Sequence, residues 1–132
     1  MTLERVEVVR RALAAQAASD LRTLIELAEP DVVIDATRNV FNPGLHEGIE
    51  GVARWLESIG EVWEELRLEE VEILETPEHV VVISRMVGRG RGSQVEVDRP
   101  NGQVWTIRDG RIARVEIGFT SRDEAMAAAG RA

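Results

Sequence analysis

The apolar residues of this 132-residue chain change their spacing once, and that change dictates the class of fold. Up to about residue 66 they recur every three or four positions, the period of a helix face. From Val71 to Phe119 they alternate or run in β-branched stretches, the period of strands. Leu3, Val6, Val9, Leu13 and Ala17 mark an amphipathic helix over 3–18. Ser19-Asp20 offers a cap for a short second helix carrying Leu21, Leu24, Ile25 and Leu27. Pro30 closes that helix, because proline cannot continue it and biases its predecessor to extended geometry. A first strand, Val32 to Arg38, runs into a Phe41-Asn42-Pro43-Gly44 loop. A third helix over 49–66 then aligns Val52, Trp55, Leu56, Ile59, Trp63 and Leu66 in one stripe.

The second half reads as a meander. Val71 and Ile73 alternate with glutamates, Thr76-Pro77-Glu78 turns, and Val80 to Arg89 is a long β-branched run. Gln94 to Asp98 alternates, Pro100-Asn101-Gly102 is read as a turn, and Gln103 to Arg108 returns. Asp109-Gly110 turns again before Arg111 to Phe119. Ser121 and Glu124 form a capping box for a last short helix that stops at Gly130. The order α-α-β-α-β-β-β-β-α predicts one α+β domain over 1–132. Its helices cover one face of a curved, mostly antiparallel sheet and leave an apolar pocket between the layers.

Composition narrows the chemistry. The chain has no cysteine and no tyrosine, and all 16 of its basic residues are arginine. Disulfides, thiolate nucleophiles, Schiff-base lysines and phenolic donors are therefore excluded. A formal net charge of −8 opposes nucleic-acid and membrane-surface binding. The N-terminus reads as the start of a helix and not as a signal peptide, and no run approaches the roughly 20 apolar residues that span a bilayer. The expected location is the cytoplasm.

Several strings carry a resemblance. They are Asp31-Val32-Val33-Ile34-Asp35, Gly48-Ile49-Glu50-Gly51-Val52, the stretch from Val104 to Ile112, and the ending Glu124 to Gly130. With the element order, they make the chain resemble the nuclear transport factor 2-like superfamily, and within it the SnoaL-like branch, over nearly its whole length. The resemblance implies a cone-like α+β fold with a pocket on the concave face of the sheet, and homodimers through the convex face. Relatives include polyketide cyclases, ketosteroid isomerases, limonene epoxide hydrolases and dehydratases, besides members with no known catalysis, so the fold alone does not choose a reaction.

Individual residues are weighed on their chemistry. Asp35 is a carboxylate within a strand, where it either lines the pocket as a general base or acid with a raised pKa, or points outward or pairs with an arginine such as Arg85. The resemblance to ketosteroid isomerases places Ala36 or Asn39 where those enzymes carry a base. Neither can be one, although Asn39 can donate to a ligand carbonyl. Gln103 falls where those isomerases have an acid that donates to the oxyanion, and an amide can donate there too. Trp105 shares a strand face with Gln103, as pocket wall or as core. Phe41 and Phe119 fit either pocket rim or core, and His46, in a loop, could shuttle protons or lie exposed. Arg114-Val115-Glu116 matches the Arg-x-Asp pair of epoxide hydrolases poorly and reads as a surface ion pair. The run Gly88-Arg89-Gly90-Arg91-Gly92 lacks the strand-then-helix context of a phosphate loop and reads as a bend in a hairpin. No histidine pairs with a second ligand at metal spacing.

The leading expectation is a cofactor-free acid/base enzyme acting on a small, apolar, oxygen-bearing molecule by cyclisation, isomerisation, hydration or dehydration. In it Asp35 moves the proton, while Gln103, Asn39, Trp105, Phe41, His46 and Phe119 contact substrate. The rival is a non-catalytic ligand-binding or dimerisation domain of the same fold.

Overall fold

The computed structural model describes residues 4–130. The elements, in chain order, are helices α1 (Arg5–Ala17) and α2 (Leu21–Leu27), strands β1 (Ala28–Asp35) and β2 (Leu45–Glu47), helix α3 (Gly48–Val62), strands β3 (Trp63–Glu75), β4 (Val80–Gly90), β5 (Glu96–Arg108) and β6 (Arg111–Phe119), and helix α4 (Arg122–Ala129). This is the expected α+β order with one short extra strand, β2. The expected position Leu3 of the first helix lies outside the described residues. One six-stranded sheet runs β2-β1-β6-β5-β4-β3. Only β1 and β6 pair in parallel, which the long α3 to β5 excursion between them makes possible.

Strand alternation divides the sheet into two faces with two cores. Val80, Val82, Trp105, Ile112, Val115 and Ile117 point to the concave face and bury against Val8, Val9 and Ala12 of α1, Leu24 of α2, and Val52 and Trp55 of α3. Val81, Val104 and Phe119 point the other way, where α4 covers them with Ala125, Ala128 and Ala129. Ser121 caps α4 by accepting from the Glu124 amide at 3.1 Å, as its spacing predicts.

Three local readings need correction, and each has a physical cause. Pro100-Asn101-Gly102 is not a turn, because β5 runs straight through it. β6 pairs with β5 only from Gly102 onward, so residues 96–101 form a free edge on that side, where a proline without an N–H is tolerated. Gly102 serves packing instead. A Cβ there would sit 3.0 Å from the Cβ atoms of both Ala125 and Phe119, so the glycine lets α4 lie close on the sheet. The third helix ends at Val62, and Trp63 and Leu66 belong to β3. A bulge between Trp63 and Glu65 lets strand residues three apart share a face, which imitates helical spacing. The first strand begins at Ala28 and includes Pro30, which falls in a register shift between Ala28 and Val33. The glycine-arginine run does end β4 and turn the β4–β5 hairpin, with Gly92 at φ +81°.

Candidate functional site

Two small cavities lie end to end between the helices and the concave face. The outer one, about 60 Å³, opens beneath the loop joining β1 to β2 and is floored by Leu66 and Leu68 of β3, Met86 of β4 and Ile117 of β6. The inner one, about 20 Å³, is walled by Leu24, Val32, Ile34, Val52, Trp105 and Val115. Gln16, Trp55, Gln103 and Ile117 line both, so Gln103 stands at their junction. This space holds a few waters at ~10–15 Å³ each and falls short of the ~300 Å³ at the small end of ligand sites. A wider groove of about 630 Å³ between α1, α3 and β3 adjoins the outer cavity and shares Gln16, Ile59, Trp63, Leu66 and Leu68 with it. Phe41 touches Trp63 edge-on at 5.6 Å between ring centres, and Asn42 donates to the Ser58 hydroxyl at 2.8 Å. At its base the loop rests on Gly118, where a Cβ would lie 2.7 Å from the Asn39 Oδ1.

β5 supplies the polar groups. Arg99, Asn101 and Gln103 lie at alternate positions and all line the outer cavity. Gln103 is only 3 % exposed, and its Oε1 accepts from the indole N–H of Trp105 at 2.9 Å. An indole N–H can only donate, so this bond fixes the amide: oxygen to Trp105, nitrogen away from it. Nε2 has no hydrogen-bond partner among the described residues. No side-chain nitrogen or oxygen among them is both sealed from solvent and unpaired, so Nε2 opens onto cavity space. The side chains of Asn101 and Gln16 likewise line the cavity without a partner among the described residues.

Asp35 is elsewhere. Ile34 faces the cavity, and strand alternation turns Asp35 to the convex face, so it lines neither cavity. Its carboxylate accepts from the Thr37 amide at 3.1 Å and hydroxyl at 2.6 Å, and from Arg114 at 2.9 Å. The side chain is 13 % exposed. Burial pushes this carboxyl up, but the Thr37 hydroxyl and amide together with Arg114 and Arg38 outweigh it and hold the group below the usual carboxylate range. The partner is thus Arg114, with Arg85 instead bound to Asp98 and Glu70. Arg114 also reaches Glu116 at 3.9 Å, in keeping with an ion pair.

The remaining candidates divide. Asn39 and Phe41 line the outer cavity, and Trp105 walls the inner one. Phe119 does not line either cavity. Gly118, at φ +102°, is the extra residue of a bulge that pairs Gly102 with Phe119 and Gln103 with Ile117, so Phe119 flips to the α4 side. His46 sits on β2 opposite Ile34, with its ring close over Gly44 and outside both cavity linings. Burial, then Arg54, lowers its pKa. Reading Pro100-Asn101-Gly102 as a turn hid Arg99 and Asn101. The signal for Gln16 was present: it continues the buried stripe of Val9 and Ala12 as a polar residue.

The comparisons agree with this architecture. A model of the SnoaL-like domain family matches residues 9–115. The structure of a nuclear transport factor 2-like protein from Burkholderia xenovorans LB400 superposes with a TM-score of 0.80 at 20% identity, covering 98% of this chain and 98% of that one. A candidate polyketide cyclase from Pseudomonas putida KT2440 gives 0.73 at 19% identity, covering 94% and 95%. A ketosteroid isomerase-like fold from Catenulispora acidiphila DSM 44928, solved with trimethylamine, gives 0.74 at 17% identity, covering 100% and 96%. No curated protein matches the chain. Among the described residues no helix is long and apolar enough to cross a membrane.

Proposed function

The chain belongs to the SnoaL-like domain family, and on that premise we propose that it binds a small, apolar, oxygen-bearing molecule in the concave cavity and polarises its carbonyl with the Gln103 amide. One observation carries this reading: the Trp105 indole holds the Gln103 oxygen, leaving Nε2 to donate into a cavity walled by apolar side chains. An unpaired amide in such a place costs free energy until a ligand oxygen meets it, which makes it a selector for oxygen-bearing ligands. Asn39 at the rim and Asn101 beside Gln103 can take further oxygens, and Trp105 and Phe41 supply aromatic contact.

Catalysis in this reading is cyclase- or isomerase-type, supported by the fold shared with a candidate polyketide cyclase. The amides would stabilise charge growing on an enolate oxygen, as preorganised donors do. Asp35, tied to Thr37 and Arg114 on the far face, is not used; among the described residues neither cavity lining includes an Asp, Glu or His, so the proton is exchanged with water. Self-association through the convex face belongs to the same reading. The ion pairs there would make it a polar interface, and light scattering that shows a monomer at every salt concentration would remove it.

The test pairs butyrophenone with butylbenzene, which differ in one carbonyl. The ketone should bind about tenfold tighter, and Gln103→Met should erase that preference while leaving butylbenzene unchanged, as the loss of one buried donor predicts. Equal binding of the two by the natural protein would sink the reading. Deuterium uptake at the ketone α-carbon, followed by NMR, separates catalysis from binding alone.

A further inference from the structure

The charge of the cavity lining is opposite to that of the chain. Asp and Glu outnumber Arg by 24 to 16, yet Arg99 lines the outer cavity and no carboxylate among the described residues does. Most other arginines of the sheet find acids: Arg67 holds Glu65 and Glu69, Arg85 holds Asp98, Arg89 holds Glu64 and Arg114 holds Asp35, while Arg111, unpaired among the described residues, is exposed to solvent. Arg99 has no carboxylate and no hydrogen-bond acceptor among the described residues. It lies half-buried, with its guanidinium 6.0 Å from the centre of the Phe41 ring. Arg38 instead turns its guanidinium to the other face, where it stacks 4.6 Å from the centre of the Phe119 ring and pairs with Glu116 at 3.6 Å. Contact with Phe41 fixes the planar Arg99 guanidinium and leaves its N–H edge free to meet an acid.

The site is also graded from end to end. Arg99 stands in the outer cavity, the Asn101 and Gln103 amides come next, and the inner cavity is apolar apart from Gln16 and Gln103. From this order we infer that the ligand is a monocarboxylate anion. Its acid group lies on Arg99 at the mouth, its carbonyl on the Gln103 and Asn101 amides, and its hydrocarbon or aryl end in the inner cavity. This rests on the binding site proposed above and adds the ligand's charge. Arg99 is the charge determinant because it has no acid to give up among the described residues, whereas Arg38 is committed to Glu116 and Phe119 on the other face. A cation such as trimethylammonium would find no counter-charge in this lining.

The test uses 4-oxo-4-phenylbutanoate and its neutral isostere 4-oxo-4-phenylbutanamide, measured by calorimetry on the full chain. The acid should bind about tenfold tighter than the amide, the scale of one charge-assisted hydrogen-bonded pair. Arg99→Gln should remove most of that margin while leaving the amide within about twofold, and Arg99→Lys should restore part of it. Arg38→Gln should leave the margin within about twofold, because that guanidinium lies with Glu116 and Phe119 on the other face. Equal affinity for acid and amide, or tighter binding of trimethylammonium than of the acid, overturns the inference and leaves the carbonyl site standing. Failure of both ketones to bind, with butyrophenone also failing, overturns the site itself. The acid–amide comparison on the natural protein needs no variant, so a poorly folding substitution cannot protect the idea.

Discussion

The two faces of the sheet are made by alternate residues of the same strands, yet they treat polar groups in opposite ways. On the convex face Arg67, Arg85, Arg89 and Arg114 each hold a carboxylate. On the concave face Gln16, Asn101, the Gln103 nitrogen and Arg99 line a cavity and meet no partner among the described residues. The contrast teaches where to look for function. Polar groups satisfied by neighbours report on folding, while those held in place but left open report on something still to arrive.

The sharpest way to break the comparison is at Trp105, which belongs to the concave core and also orients Gln103. Trp105→Ala should cost about 3–5 kcal/mol in urea unfolding, the usual loss for a buried indole, and should abolish the ketone preference. Retention of that preference would show that Gln103 is oriented by something else. On the other face, Gly102→Val pushes a side chain into Ala125 and Phe119 and should cost about 1–3 kcal/mol by overpacking. Ligand affinity should stay within about twofold, since α4 lies away from the cavity.

Asp35→Asn sharpens the division further. Losing the charge that Thr37 and Arg114 hold should cost about 1–2 kcal/mol near pH 7. Because the folded-state pKa is lowered, that contribution is present above the unfolded value of about 3.9 and fades as pH falls through the folded value. Natural and variant stabilities should therefore converge in acid. Affinity and α-proton exchange should not change at any pH, and an effect on either would return Asp35 to the site. The smallest effect is expected for Arg67→Ala, whose half-exposed pairs with Glu65 and Glu69 should be worth less than about 1 kcal/mol, and less again in high salt.

Much of the fold was legible because period, caps and proline placement are local. The α1 stripe, the Ser121 cap and the Asp109-Gly110 turn all follow from residues a few positions apart. Half of the candidate site was legible too. Gln103 and Trp105 fall on one strand face by simple alternation, and Asn39 and Phe41 reach the cavity rim. Phe119, His46 and Asp35 do not follow, for different reasons. Asp35 and Ile34 necessarily face opposite ways, but nothing local says which of them is inside. Phe119 would share the face of Ile117 if Gly118 did not bulge. His46 depends on an edge strand whose three residues carry too little pattern to announce it.

The sequence by itself determined the element order, the antiparallel meander and the absence of thiol, phenol and amine chemistry, since these depend on neighbours along the chain or on composition alone. The tertiary structure alone decided which face of each strand is concave, because that depends on bulges at Gly118 and between Trp63 and Glu65 that exist only against partner strands. It also decided that Pro100-Asn101-Gly102 stays extended. The close approach of α4 requires a glycine at 102, and the missing β6 partner makes a proline at 100 tolerable. Through that one extended segment Arg99, Asn101 and Gln103 come to stand in a row over the cavity.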